Sequence, residues 1–150
     1  MSSEPADPAE PPFRRTRSFA VVNQRREITK LVQLVEQLSG DWELSDDVAF
    51  NVSLLLDEFV SNVIKYGYSD TLEHQIDIHV ELESGVLTIR IEDDGKPFNP
   101  LDAPLPDLDL PVEKRPIGGL GIFIARTMAD SIGYSREAGR NVLTIRKTTA

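Results

Sequence analysis

Glu58 and Asn62 stand four residues apart in a segment whose apolar residues recur at helical spacing. A helix there carries a carboxylate and an amide on one face, beside its apolar stripe. Such a carboxylate can take a proton from a hydroxyl nucleophile or from water, and an amide oxygen suits a magnesium ion already held by phosphates. Lys65 lies about one turn further on, where its ammonium could meet a phosphate, and Tyr66 offers a ring to flank a nucleotide. Taken alone, a solvated polar face with an i,i+4 hydrogen bond explains the same pair.

A second constellation, Glu92-Asp93-Asp94-Gly95-Lys96-Pro97-Phe98, follows an apolar alternation ending at Ile91. An aspartate at a strand end can accept from an exocyclic amine such as that of adenine, and Gly95 would let the base approach the backbone. An ordinary Asp-Gly turn is the competing account. The third constellation, Gly118-Gly119-Leu120-Gly121, opens an apolar periodic segment and so could turn bare backbone N–H groups and a helix N-terminus towards phosphate. It lacks the Gly-Lys-Ser/Thr of a P-loop and the β-α-β surroundings of a dinucleotide fingerprint.

Positioning these groups requires a scaffold. Phe13 to Val22 suits a strand, and Ile28, Leu31, Val32, Leu34, Val35 and Leu38 predict an amphipathic helix over 23–38, stopped by Gly40. Ser45, followed by Asp46 and Asp47, predicts the cap and acidic first turn of a helix running to about Tyr66 with a stripe of Val48, Val52, Leu55, Phe59 and Val63. Ile76 to Leu82 and Leu87 to Ile91 alternate across Ser84-Gly85 as a hairpin with one buried face. Residues 99–116, rich in proline and acid, predict a mobile lid reaching Gly118. A third helix begins near Gly121, and a last hairpin pairs 133–137 with 141–147 across Gly139-Arg140. The expected fold is an α+β two-layer sandwich, a mixed, mainly antiparallel sheet covered on one face by three helices.

At 150 residues and 40% hydrophobic content the chain can bury one core, assigned to 13–150 after a proline-rich disordered leader over 1–12. A net charge of −9 with scattered basic residues disfavours nucleic acid and anionic membranes as partners. No apolar run approaches a bilayer span and no signal peptide precedes the domain, so a cytoplasmic location is expected. Without cysteine, any metal must rest on oxygen or nitrogen ligands, which points to hard cations such as Mg2+.

In order and spacing, the run Leu56 to Tyr68, then Asp93 to Phe98, then Gly119-Leu120-Gly121-Ile122 resembles the gyrase, heat-shock chaperone and histidine-kinase ATPase fold. Tyr66-Gly67-Tyr68, Pro97-Phe98 and the closing Gly139-Arg140-Asn141-Val142-Leu143-Thr144-Ile145-Arg146 resemble its anti-sigma-factor serine kinase branch, over about residues 14 to 147. The resemblance implies ATP and Mg2+ as cofactors, Glu58 as general base, Asn62 as metal ligand, and Lys65 and Tyr66 as further ATP contacts. It implies that Asp93 recognises the adenine amine and that Gly95 admits the ring. Gly119, Leu120 and Gly121 would close over the phosphates, with Thr144 behind Asp93 beside an ordered water. Pro97 replaces a glycine common in histidine kinases, and Lys114 or Arg115 would be exposed basic residues or phosphate contacts.

The resemblance further implies a homodimer that phosphorylates a small anti-anti-sigma protein and sequesters a sigma factor in an alternate complex. The alternative is a non-catalytic ATP-gated protein-binding module. A detached histidine-kinase catalytic domain would need a phosphoacceptor helix from another protein. His74 and His79 read as surface histidines and Trp42 as a packing residue between helices.

Overall fold

The computed structural model describes residues 14–102 and 119–149. One five-stranded sheet runs in the order β1-β2-β3-β5-β4, with β1 at Arg15–Val22, β2 at Gln75–Glu83, β3 at Val86–Asp93, β4 at Ser131–Glu137 and β5 at Arg140–Thr148. Helices α1 (Glu27–Asp41), α2 (Asp46–Tyr66) and α3 (Gly119–Met128) join the inward strand residues in a single core, giving the expected α+β sandwich. Each neighbouring strand pair is antiparallel, so the described sheet contains no parallel pairing and is antiparallel throughout.

Helix α2 forms where its sequence signals place it. Ser45 is extended and its Oγ accepts the Val48 N–H at 3.2 Å, while Asp46 and Asp47 complement the helix N-terminus. Its stripe of Val52, Leu55, Leu56, Phe59 and Val60 is almost wholly buried against Ile78, Ile89 and Ile145 of the sheet. Truncating Leu55, Leu56 or Phe59 to alanine would cost about 2–5 kcal/mol. Helix α1 starts later than its periodicity suggests, because residues 23–26 turn first and the Glu27 carboxylate accepts the Val22 N–H at 3.0 Å. It also runs through Gly40 to Asp41, and the left-handed residue beyond it is Glu43, at φ 54°.

Both hairpins turn on two residues with positive φ, Ser84 and Gly85 at 51° and 76°, and Ala138 and Gly139 at 50° and 76°. That geometry matches the right-handed twist of the strands. The second turn is therefore Ala138-Gly139 instead of Gly139-Arg140, and Arg140 becomes a strand residue paired with Glu137. The sheet face away from the helices is polar, and Arg140 there reaches Asp77 at 2.8 Å. Residues 103–118, the greater part of the expected lid, and the expected leader lie outside the described residues. Pro100–Asp102 forms a short 3-10 turn.

Candidate functional site

The C-terminus of α2 docks on the loop that follows β3. The Lys96 N–H donates to the Gly67 carbonyl at 2.8 Å. A Cβ on Gly95 would lie 2.5 Å from that carbonyl oxygen, and one on Gly67 would lie 2.6 Å from the carbonyl oxygen of Val63. Both positions thus require glycine for backbone to meet backbone. The openness of Gly95, assigned from sequence to an approaching ring, serves this docking on the side where a Cβ would stand.

Asp93 ends β3 on its inward face and is only 3% exposed. Its Oδ1 accepts the Gly95 N–H and the Asn141 Nδ2–H, each at 2.9 Å. Asn141 Nδ2 also donates to the Lys96 carbonyl at 2.9 Å, and its Oδ1 accepts the Phe98 N–H at 3.2 Å and the Tyr134 hydroxyl. Arg136 donates to the Gly95 carbonyl at 2.7 Å, holding the same loop from β4.

The β3–β5 register corrects the expectation for Thr144. Asp93 lies opposite Asn141, whereas Thr144 lies opposite Arg90. Side chains alternate across a strand, so Thr144 stands on the polar face of the sheet, away from Asp93.

A pocket opens between α2 and the sheet. Phe59, Val63, Ile91, Phe98 and Leu143 supply apolar walls, with Asn62, Asp93, Tyr134 and Asn141 as its polar groups. Apolar walls with a few convergent polar groups are the usual make-up of a small-molecule site. Asn62 is buried, and its Nδ2 donates to the Glu58 carbonyl at 2.7 Å, which leaves the amide oxygen as the group available to a cation. Among the described residues no three His, Cys, Asp or Glu side chains gather into a metal cage. This donor set fits a hard ion shared between one amide oxygen and ligand phosphates.

Glu58, one turn before Asn62, is half-buried, and its carboxylate abuts Gly121 in the first turn of α3. Burial, reinforced by Asp57 and opposed by Lys65, raises its pKa above 4.5. Lys65 and Tyr66 are exposed in the last turn of α2, Tyr66 with its ring centroid 6.3 Å from that of Phe98, which lines the pocket. For Gly119 and Leu120 only the helical backbone is described, and Lys114, Arg115 and Gly118 lie outside the described residues.

Asn62 and Asp93 thus line one pocket, and Glu58, one helical turn before Asn62, meets Gly121 of α3. Sequence reasoning missed Asn141, Tyr134 and Gly67. Alternation along β5 carried the signal for Asn141, since it shares parity with the inward Leu143 and Ile145. It also missed that His74 links two loops. The ring bonds Asp70 at 2.8 Å and Asp94 at 3.1 Å and stacks on Tyr68 at 4.2 Å, so it borders the Asp93 loop and is no isolated surface histidine. Tyr68 has a buried hydroxyl without a hydrogen-bond partner among the described residues.

Residues 21–147 match the family described as Histidine kinase-like ATPase domain. The chain is 27% identical over 103 residues to Serine/threonine-protein kinase BtrW of Bordetella bronchiseptica, covering 67% of this chain and 71% of that protein. In three dimensions it is similar to the crystal structure of the RsbU and RsbW domains of Rv1364c from Mycobacterium tuberculosis, with a TM-score of 0.65, 12% identity and 89% of this chain covered. It spans 32% of that longer chain, and the likeness is one of fold.

Proposed function

Since the chain belongs to the histidine kinase-like ATPase domain family, we propose that it is an ATP-dependent serine/threonine kinase of the anti-sigma-factor type. Its substrate would be a serine of a small anti-anti-sigma protein. A cytoplasmic homodimer that alternates between this substrate and a sigma factor completes the proposal. The single observation that carries it is the meeting of Glu58 with Gly121 at the start of α3, one helical turn from Asn62 in the pocket that Asp93 also lines.

In this scheme the Asp93 carboxylate accepts the adenine amine, and the first turn of α3 faces the phosphates. Magnesium bound by the phosphates and the Asn62 oxygen would neutralise charge that develops during transfer. The serine hydroxyl attacks the terminal phosphorus, forming an O–P bond while the bond from that phosphorus to the bridging oxygen of ADP breaks. The hydroxyl proton passes to Glu58, whose raised pKa brings its basicity closer to that task.

Transfer of labelled phosphate from ATP to purified anti-anti-sigma proteins of the same organism tests the proposal. Glu58→Gln should bind ATP nearly as the wild type does and lose about 10²- to 10⁴-fold in transfer. Wild type that binds ATP yet phosphorylates none of them would replace the kinase with an ATP-gated binding module.

A further inference from the structure

Asn141 is 6% exposed and uses all four of its hydrogen-bonding positions inside the protein. Its two N–H groups face acceptors, Asp93 Oδ1 and the Lys96 carbonyl. Its oxygen faces donors, the Phe98 N–H and the Tyr134 hydroxyl. Reversing the amide would set donor against donor and acceptor against acceptor, so one orientation alone is satisfied. An aspartate here would place an oxygen against the Asp93 carboxylate, and an aliphatic side chain would abandon all four partners.

The consequence falls on Asp93. Its Oδ1 is occupied twice, by Gly95 and Asn141, while no donor reaches Oδ2 among the described residues. Two donors on one oxygen fix the rotation of the carboxylate and leave the other oxygen as a pure acceptor at the pocket wall. The same amide pins Lys96 and Phe98, and Phe98 forms part of that wall.

We propose that Asn141 is the positioning residue that sets the selectivity of this pocket for a 6-aminopurine, by holding the Asp93 carboxylate with one oxygen aimed at the exocyclic amine. The proposal rests on the reading that an adenine nucleotide binds against Asp93. A 6-oxopurine would bring its carbonyl against that fixed oxygen and be rejected. A purine without a 6-substituent would leave the oxygen unpaired.

Calorimetric affinities of ADP, IDP and the 5′-diphosphate of unsubstituted purine riboside test this in wild type, Asn141→Ala, Asn141→Asp and Tyr134→Phe. Wild type should prefer ADP over the unsubstituted analogue by about tenfold or more. The ratio should fall to within about twofold of unity in both Asn141 variants, because the carboxylate, held by the Gly95 N–H alone, can turn, and to an intermediate value in Tyr134→Phe. A role confined to stability would lower the melting temperature while leaving the ratio at its wild-type value, and that result overturns the proposal. Should the Asn141 variants fail to fold, Tyr134→Phe decides alone, an unchanged ratio counting against it. Wild type that binds all three diphosphates equally would show that Asp93 does not read the amine, a failure of the underlying reading visible before any variant is made.

Discussion

The Glu58 carboxylate lies against the bare α carbon of Gly121, so closely that a Cβ there would overlap Oε2. An acidic side chain of α2 thereby sets the position of the first turn of α3, the element on which the phosphates would rest.

Gly121→Ala should separate catalysis from stability. Alanine is the better helix former by about 0.8–1 kcal/mol, and the obstructing atoms are the far end of a flexible side chain that can swing aside. Thermal stability should hold or rise, while displacement of the carboxylate by about 1 Å lowers phosphate transfer on the order of 10²-fold. A melting curve and a transfer assay on the same preparation check both halves.

Gly95→Ala should behave in the opposite way. Its Cβ would meet the Gly67 carbonyl oxygen at 2.5 Å and Asp93 Oδ1 at 2.9 Å, and backbone cannot step aside as a side chain can. Denaturant unfolding should register a loss of about 1–3 kcal/mol, as for other overpacked sites. An unfolding midpoint equal to wild type would contradict the close approach of α2 to this loop.

The pH dependence of transfer should carry the signature of Glu58. Burial raises its pKa above the ordinary 4.5, so this carboxylate stays protonated further up the pH scale than an exposed glutamate would. Transfer should increase as pH rises through that elevated value, and Glu58→Gln should lack this limb of the profile. A rising limb that survives in the glutamine variant assigns the titration to another group.

His74 gives stability a different pH dependence. Hydrogen bonding to Asp70, with Asp94 assisting against burial, raises its pKa above 6.5, while Asp70 is lowered, chiefly by His74. The histidine contribution is therefore fully present below 6.5 and is lost as pH rises through the elevated folded value. The Asp70 contribution is present above 3.8 and is lost as pH falls through its depressed folded value. The stability difference between wild type and His74→Gln should be greatest between these limits and shrink towards alkaline pH. A difference that stays constant from about pH 5.5 to about pH 8.5 would contradict the bridging role.

Much of this arrangement is legible in the sequence because its determinants are local. The Ser45 cap, the α2 stripe and the alternation of β2 and β3 each follow from residues within one element. Thr144 stands away from Asp93 because its position depends on pairing across strands, which no single element encodes. Counting inward positions from Leu143 and Ile145 puts Asn141 on the pocket side, but that count alone does not bring Asn141 opposite Asp93. Gly67 and Gly95 likewise look like helix-end and turn glycines until the two backbones are brought together. The shift of the last turn to Ala138-Gly139 had the same origin, since alanine with positive φ carries no mark in the sequence.

Asp93 and Asn141 are separated by 48 residues and lie opposite each other only once β5 has paired with β3. Contacts between such distant parts of a chain form late, because closing the intervening segment costs entropy before any pairing repays it. The β2–β3 hairpin and α2 can each acquire structure locally, yet neither creates the pocket. Nucleotide capture during refolding would therefore time the closure of the β3–β5 seam, and a ligand that binds only the closed seam slows its reopening without hastening the earlier steps.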